Sequence, residues 1–285
     1  MASDLPKVPG YLVNRKIASG GCAEVFEALD LETHRKVVIK LLATRHLQDK
    51  IERARLVEEG ELGLRLKPHG QVVRTLACGE MNNRPYTVQE FCDGQPLSEL
   101  VAKKQLLNDL SLVGLARLLC TGLDYIHSRG ILHRDIKPDN IMYNPPEGVK
   151  IIDFGFAQKR GFSLKKLFHR RLEGSPAYMA PELLVTKKAS EATDIFSLGV
   201  SLYEAATGAL PYPGRTDQEI IEAILNRNVK PLPVKTVNSK VSALTMQMIT
   251  QCIDKDPRQR FQTAQQVLLT INRNPALERI KQRGV

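Results

Sequence analysis

Eight consecutive residues, His133, Arg134, Asp135, Ile136, Lys137, Pro138, Asp139 and Asn140, gather carboxylates, cations and a carboxamide on one short stretch. Asp153, Phe154 and Gly155 follow after a strand-turn-strand pattern. The chemistry such a set could serve is phosphoryl transfer. That reaction asks little covalent help of a protein, but needs a hydroxyl aimed in line at the transferred group and divalent metals bridging the phosphates. A bare His-Arg-Asp triplet carries little weight, since two buried aspartates satisfying backbone amides would account for it. The interval from Asp135 to Asn140, with Asp-Phe-Gly behind the apolar run 149–152, is far harder to reach by accident.

Groups like these need a scaffold, and the chain changes texture near residue 90. Before it, the apolar stretches 13–17, 25–29 and 37–42 read as strands. A single helix interrupts them at about 47–66, where Ala, Leu, Glu and Arg dominate, and it ends at Pro68, His69 and Gly70. Beyond residue 90, helices are expected over 96–105, 112–128, 191–208, 217–226, 241–252 and 263–271. In the second of these Leu115, Leu118, Leu119 and Leu123 recur at helical spacing, and Gly130 provides a stop. No internal repeat or low-complexity segment divides the chain.

The 285 residues, 42% of them hydrophobic, can bury a sizeable core as one large domain or two lobes. Forty-one Lys and Arg against 31 Asp and Glu give a net charge of +10, enough to speed encounters with acidic partners. No RNP-type aromatic motif, Cys/His finger or basic heptad helix accompanies that charge, which argues against a nucleic-acid partner. The five cysteines are scattered and never form Cys-x-x-Cys, which points to a reducing compartment rather than a disulfide or zinc framework. With no apolar run long enough for a bilayer and no signal core at the start, the expectation is a soluble, cytoplasmic protein without a membrane partner.

The octapeptide, Asp153-Phe154-Gly155, Lys40 after Val37-Val38-Ile39, and Gly174-Ser175-Pro176-Ala177-Tyr178-Met179-Ala180-Pro181-Glu182 together resemble the signature motifs of eukaryotic-type (Hanks-type) protein serine/threonine kinases. The resemblance runs from about residue 11 to 271 and implies an α+β, two-lobed kinase fold. It implies a small β-rich N-lobe with one helix over 11–89, a hinge at 90–94, a larger mainly helical C-lobe over 95–271, and short tails at 1–10 and 272–285. It further implies ATP and Mg²⁺, or Mn²⁺ in its place, with direct in-line transfer of the γ-phosphate to Ser/Thr hydroxyls of protein substrates.

Within that resemblance, Asp135 orients the acceptor hydroxyl, Lys137 lies against the transferred phosphoryl group, and Asn140 and Asp153 hold metal. Lys40 pairs with the α and β phosphates. Ile17, Ala18, Ser19, Gly20, Gly21, Cys22, Ala23 and Val25 form the phosphate loop, which keeps the middle glycine, Gly20, but carries Ala18 and Ala23 at the outer positions. Glu90 and Cys92 offer main-chain atoms to adenine, and Gln89, polar where a bulky apolar residue is usual, must find a hydrogen-bond partner if buried. For the helix partner of Lys40, Glu59 shares a face with Leu62, Gly63 and Leu66, whereas Glu61 shares one with Arg65 and Pro68. Glu59 is therefore the choice and Glu61 the reserve.

Asp194 matches the helix aspartate that braces the catalytic loop, with Phe196 in place of the common tryptophan, and Glu182 is expected to pair with Arg260. If exposed, that last pair is worth little. Lys137 and Ser175 indicate Ser/Thr acceptors. The cluster Lys159, Arg160, Lys165, Lys166, His169, Arg170 and Arg171 reads either as a solvated loop or as a site that phosphorylation of Ser163, or an acidic ligand, would neutralise together with Arg134. Ser163 is accordingly the autophosphorylation candidate. The altered glycine loop keeps a second class open, a pseudokinase-like ATP-binding scaffold. A small-molecule kinase would have little use for the loop ending at Glu182.

Overall fold

The computed structural model describes residues 5–145, 148–159 and 175–273, apart from the side chains of Lys159, Lys235 and Thr236. It divides into two units, one of residues up to Asp93 together with Asp153–Phe156, the other of Gly94–Ile152 and the residues from Ala157 onward.

In the first unit, strands β1 (Tyr11–Ser19), β2 (Ala23–Asp30), β3 (Lys36–Leu42), β4 (Thr75–Met81) and β5 (Arg84–Glu90) form one antiparallel sheet in the order β1-β2-β3-β5-β4. Helix α1 (Lys50–Arg65) lies between β3 and β4 in sequence, as the composition of that stretch predicts. One sheet face buries Val13, Phe26, Ala28, Val37, Ile39, Leu41 and Val88 with Val8. Because side chains alternate along a strand, Lys40 and Thr87, register partners on β3 and β5, point to the other face.

Helix α1 starts at Lys50, later than expected, because Asp49 is its cap. The Asp49 carboxylate accepts the N–H groups of Ile51 and Glu52, and Thr44–His46 ahead of it form a separate 3-10 turn. Two glycines then seat the helix closely on β4 and β5. A Cβ at Gly60 would lie 2.7 Å from Cys78 Cβ, and one at Gly63 would lie 2.0 Å from Thr75 Oγ1.

The second unit is mainly helical, with α2 (Leu97–Ala102), α3 (Asp109–Ser128), α4 (Pro181–Thr186), α5 (Glu191–Thr207), α6 (Asp217–Leu225), α7 (Val234–Val237), α8 (Ala243–Cys252) and α9 (Ala264–Asn272). Where the sequence suggests a start one or two residues early, the polar residue proves to be a cap: Ser242 accepts from Thr245 N–H and Thr263 from Gln266 N–H. Helices α4 and α7 are too short to show a helical period and are not anticipated. Helix α5 is the buried centre of the unit, entered by a Ser190/Thr193 capping box and left at Gly208 with φ +70°. Short strands complete the unit: β6 (Gln95–Pro96) with β8 (Ile141–Asn144) and β9 (Gly148–Ile151), and β7 (Ile131–Leu132) with β10 (Gln158–Lys159). The expected pairing of a small β-rich unit carrying one helix with a larger helical unit is what the chain forms. Among the described residues no helix is long and apolar enough to cross a membrane.

Candidate active site

Close seating of α1 buries Glu59 beneath the sheet, 5% exposed, opposite Lys40, itself 8% exposed. Lys40 Nζ lies 2.6 Å from Glu59 Oε1 and 3.0 Å from Asp153 Oδ1. Glu61 instead faces outward, 3.7 Å from Arg65 across one helical turn. Gln89, 3% exposed, has the partner that its burial demands: its Nε2 donates to Glu59 Oε1 at 3.3 Å. Asp153 adopts φ +66°, an uncommon value for a residue with a Cβ, and accepts the Gly155 N–H at 3.1 Å. Arg55 of α1 rests over the Phe156 ring, 4.9 Å from its centroid.

The electrostatics of this cluster follow from one ammonium facing two carboxylates. Burial disfavours charge on Lys40, but Asp153 and Glu59 outweigh it and hold the ammonium well above the ordinary lysine range. Burial pushes Glu59 upward, with the Asp153 charge adding to it and Lys40 and Gln89 opposing. When both acids are ionised the set carries a net negative charge, a setting that suits a divalent cation.

The stretch from Ile17 to Ala23 links β1 to β2. Ile17, Ala18, Ser19, Gly20 and Gly21 are exposed, Cys22 is half-buried, and Ala23 is buried. Burial pushes the Cys22 thiol up to about 11, with Glu52, Glu59 and Asp153 adding to the shift. Val25 is the register partner of Lys40 on β2. At the end of β5, Glu90 donates its N–H to Arg74 O at 2.9 Å, and its carbonyl takes a long contact, 3.9 Å, from Cys92 Sγ.

In the second unit the octapeptide hangs on Asp194, which is fully buried on α5. Asp194 accepts the backbone N–H groups of His133 at 2.9 Å and Arg134 at 2.7 Å, and lies 2.8 Å from His127 Nε2. Burial would raise the Asp194 carboxyl, but His127, His133 and the Arg134 amide hold it below the usual carboxylate range. Arg134 sits at φ +67°, a conformation held in place by this bond. His127 also stands 3.3 Å from Glu191 Oε2. The sequence reading missed this histidine, whose only signal is its place on the apolar face of α3.

Downstream of the brace, Asp135 Oδ2 receives Lys137 Nζ at 2.9 Å and Asn140 Nδ2 at 2.8 Å. Asn140 Nδ2 also donates to the Asp135 carbonyl, which engages its amino group and leaves Oδ1 as an oxygen of the kind hard cations take. Lys137 Nζ is 3.3 Å from Ser175 Oγ. Glu182 and Arg260 form a two-pronged pair at 2.8 and 2.6 Å, and Arg260 is 3% exposed, so this is no loose surface contact. Arg260 also lies over the Phe196 ring at 5.0 Å. Ser163, the basic cluster from Arg160 to Arg171, and the tail beyond Arg273 fall outside the described residues.

The protein kinase domain profile matches residues 11–270. Curated relatives include the probable serine/threonine-protein kinase of Clostridium acetobutylicum, 30% identical over 258 residues that cover 90% of this chain and 39% of the relative. The serine/threonine-protein kinase ULK3 of Rattus norvegicus is 31% identical over 262 residues, 90% of this chain and 53% of its own. The hormonally up-regulated neu tumor-associated kinase of Homo sapiens is 30% identical over 243 residues, 84% and 34% respectively. The chain thus spans from 34% to 53% of the length of these relatives. With a profile match running through both units, the chain belongs to the protein kinase domain family.

Proposed function

We propose that this chain is an ATP- and Mg²⁺-dependent kinase of serine and threonine hydroxyls on protein substrates, working by direct in-line transfer. The observation that carries the reading is the set around Asp135, whose carboxylate is held by Lys137 and Asn140 while Lys137 reaches Ser175. A carboxylate fixed in this way can orient an acceptor hydroxyl and receive its proton. Lys137 would lie against the transferred phosphoryl group and lower the charge that gathers there. Lys40, kept protonated by its two acidic neighbours, would bind the α and β phosphates, and Glu59 would hold Lys40 in place. The stretch Ile17–Ala23 with Val25 would cover the phosphates, and main-chain atoms of Glu90 and Cys92 would take adenine.

Asn140 and Asp153 would supply oxygen ligands to Mg²⁺, for which Mn²⁺ could substitute. The fit rests on the oxygen donors and on the surplus negative charge of the Lys40, Glu59 and Asp153 set. When bound, the metal neutralises charge on the phosphates as the transferred group departs. We place the enzyme in a reducing, cytoplasmic setting, in keeping with its five free cysteines.

The acceptor assignment is tested with matched peptide libraries that differ only in a central Ser, Thr or Tyr, incubated with labelled ATP and Mg²⁺. Label on Ser and Thr peptides is expected. Label confined to Tyr peptides would overturn the assignment, and nucleotide binding with no label in any library would favour an ATP-binding scaffold.

A further inference from the structure

The loop that departs most from the glycine pattern is also held from outside. Between Ala18 and Ala23 the chain turns tightly, with Gly20 N–H donating to Ala23 O at 2.8 Å. The two carbonyls at the tip are both engaged by Arg45, whose Nη2 donates to Gly20 O at 2.8 Å and Gly21 O at 2.6 Å. His46 Nε2 lies 3.0 Å from the same Gly21 O and 3.2 Å from Arg45 Nε.

Both residues belong to the 3-10 turn ahead of α1, and that turn is itself anchored. Ala43 N–H donates to Cys22 O at 2.9 Å, extending the β2–β3 ladder, while Asp49 caps α1. Loop tip, turn and helix start are therefore joined by hydrogen bonds.

A trans peptide group points its carbonyl and its N–H in opposite directions. Holding the Gly20 and Gly21 carbonyls on one guanidinium nitrogen thus fixes the N–H groups of Gly21 and Cys22 on the other side of the tip. Neither has an acceptor among the described residues. Two successive amides held on one side make a concavity that receives anionic oxygens. We propose that Arg45 is a positioning residue of the phosphate loop: by clamping the Gly20 and Gly21 carbonyls it presents the Gly21 and Cys22 amides to a nucleotide phosphate. The clamp supplies order where Ala18 and Ala23 replace the flexible outer glycines. This inference rests on reading the loop as the phosphate-holding element of a kinase.

The test compares wild type, Arg45→Ala and Arg45→Lys by Mg²⁺-ATP titration, by steady-state kinetics, and by hydrogen exchange of residues 17–23 without nucleotide. Arg45 is exposed, so unfolding of the variants is not expected, and thermal melts verify this. Losing the charge-assisted clamp should weaken ATP binding and raise KM for ATP about tenfold with little change in kcat, and should speed exchange at Gly20. Arg45→Lys, which keeps the charge but loses the planar fork, should fall between. Weaker ATP binding with unchanged exchange in the nucleotide-free protein would overturn the proposal in favour of direct phosphate contact by Arg45. Unchanged affinity and exchange in Arg45→Ala, beside a wild type that binds ATP and transfers phosphate, would overturn it alone. A wild type that binds no ATP would instead overturn the kinase reading, and the proposal with it.

Discussion

The two units hold their central carboxylates under opposite conditions. Asp194 is met by two backbone N–H groups and His127, and it stays below the usual carboxylate range with its bonds satisfied on folding. Glu59 and Asp153 share one ammonium, with a neutral amide from Gln89 added at Glu59, and burial pushes Glu59 upward. The first arrangement is complete in the protein alone and serves to hold a loop. The second carries surplus negative charge in the protein alone, in keeping with the proposal that it works on a metal-bound nucleotide.

If this contrast is right, damage to the two carboxylate sites should be felt differently. Asp194→Asn replaces one acceptor oxygen with an amide NH2, turning a donor toward donors, and leaves a buried network broken, at a cost of about 3–5 kcal/mol. Thermal melts should show a midpoint about 10 °C lower, and a midpoint like that of wild type would break the contrast. Lys40→Met should instead act on catalysis. Removing the ammonium proposed to bind phosphate is expected to cut transfer at least about a hundredfold, some 2.7 kcal/mol in the barrier. Its melting point should fall less than that of Asp194→Asn, because Glu59, already pushed upward, can take a proton rather than remain an unpaired buried charge.

Gly63→Ala probes the seating of α1. Helix propensity alone predicts a gain of up to about 1 kcal/mol. The Cβ that would fall 2.0 Å from Thr75 Oγ1 predicts a loss of about 1–3 kcal/mol, and a lowered melting point is the expected result. The smallest effect belongs to Gln89→Leu. The Gln89 amide favours the ionised form of Glu59, so its loss raises Glu59 further, and protonation on acidification begins at higher pH. The acid limb of the kcat–pH profile should move to higher pH, and an unmoved limb would remove Gln89 from the cluster.

Much of this arrangement is legible in the sequence, for identifiable reasons. Helical periodicity separates Glu59 from Glu61, since one shares its face with small and apolar residues and the other with Arg65. The need to satisfy a buried amide calls for a partner to Gln89 without naming Glu59. Local capping chemistry at Asp49, Ser242 and Thr263 moves helix starts that composition alone places too early. What stays hidden depends on contacts between distant residues with no shared period. Arg45 meets Gly20 and Gly21 across more than twenty positions, and His127 meets Asp194 across more than sixty. No pattern in the chain announces either pair.

The account is tested most directly by following labelled γ-phosphate from ATP to Ser/Thr peptides in wild type and Asp135→Asn, with Mg²⁺-ATP affinity measured in parallel. Asp135→Asn is expected to bind nucleotide like the wild type while transfer falls by about 10²–10⁴. Transfer by Asp135→Asn at the wild-type rate, or a wild type that binds Mg²⁺-ATP and moves no label, would contradict it.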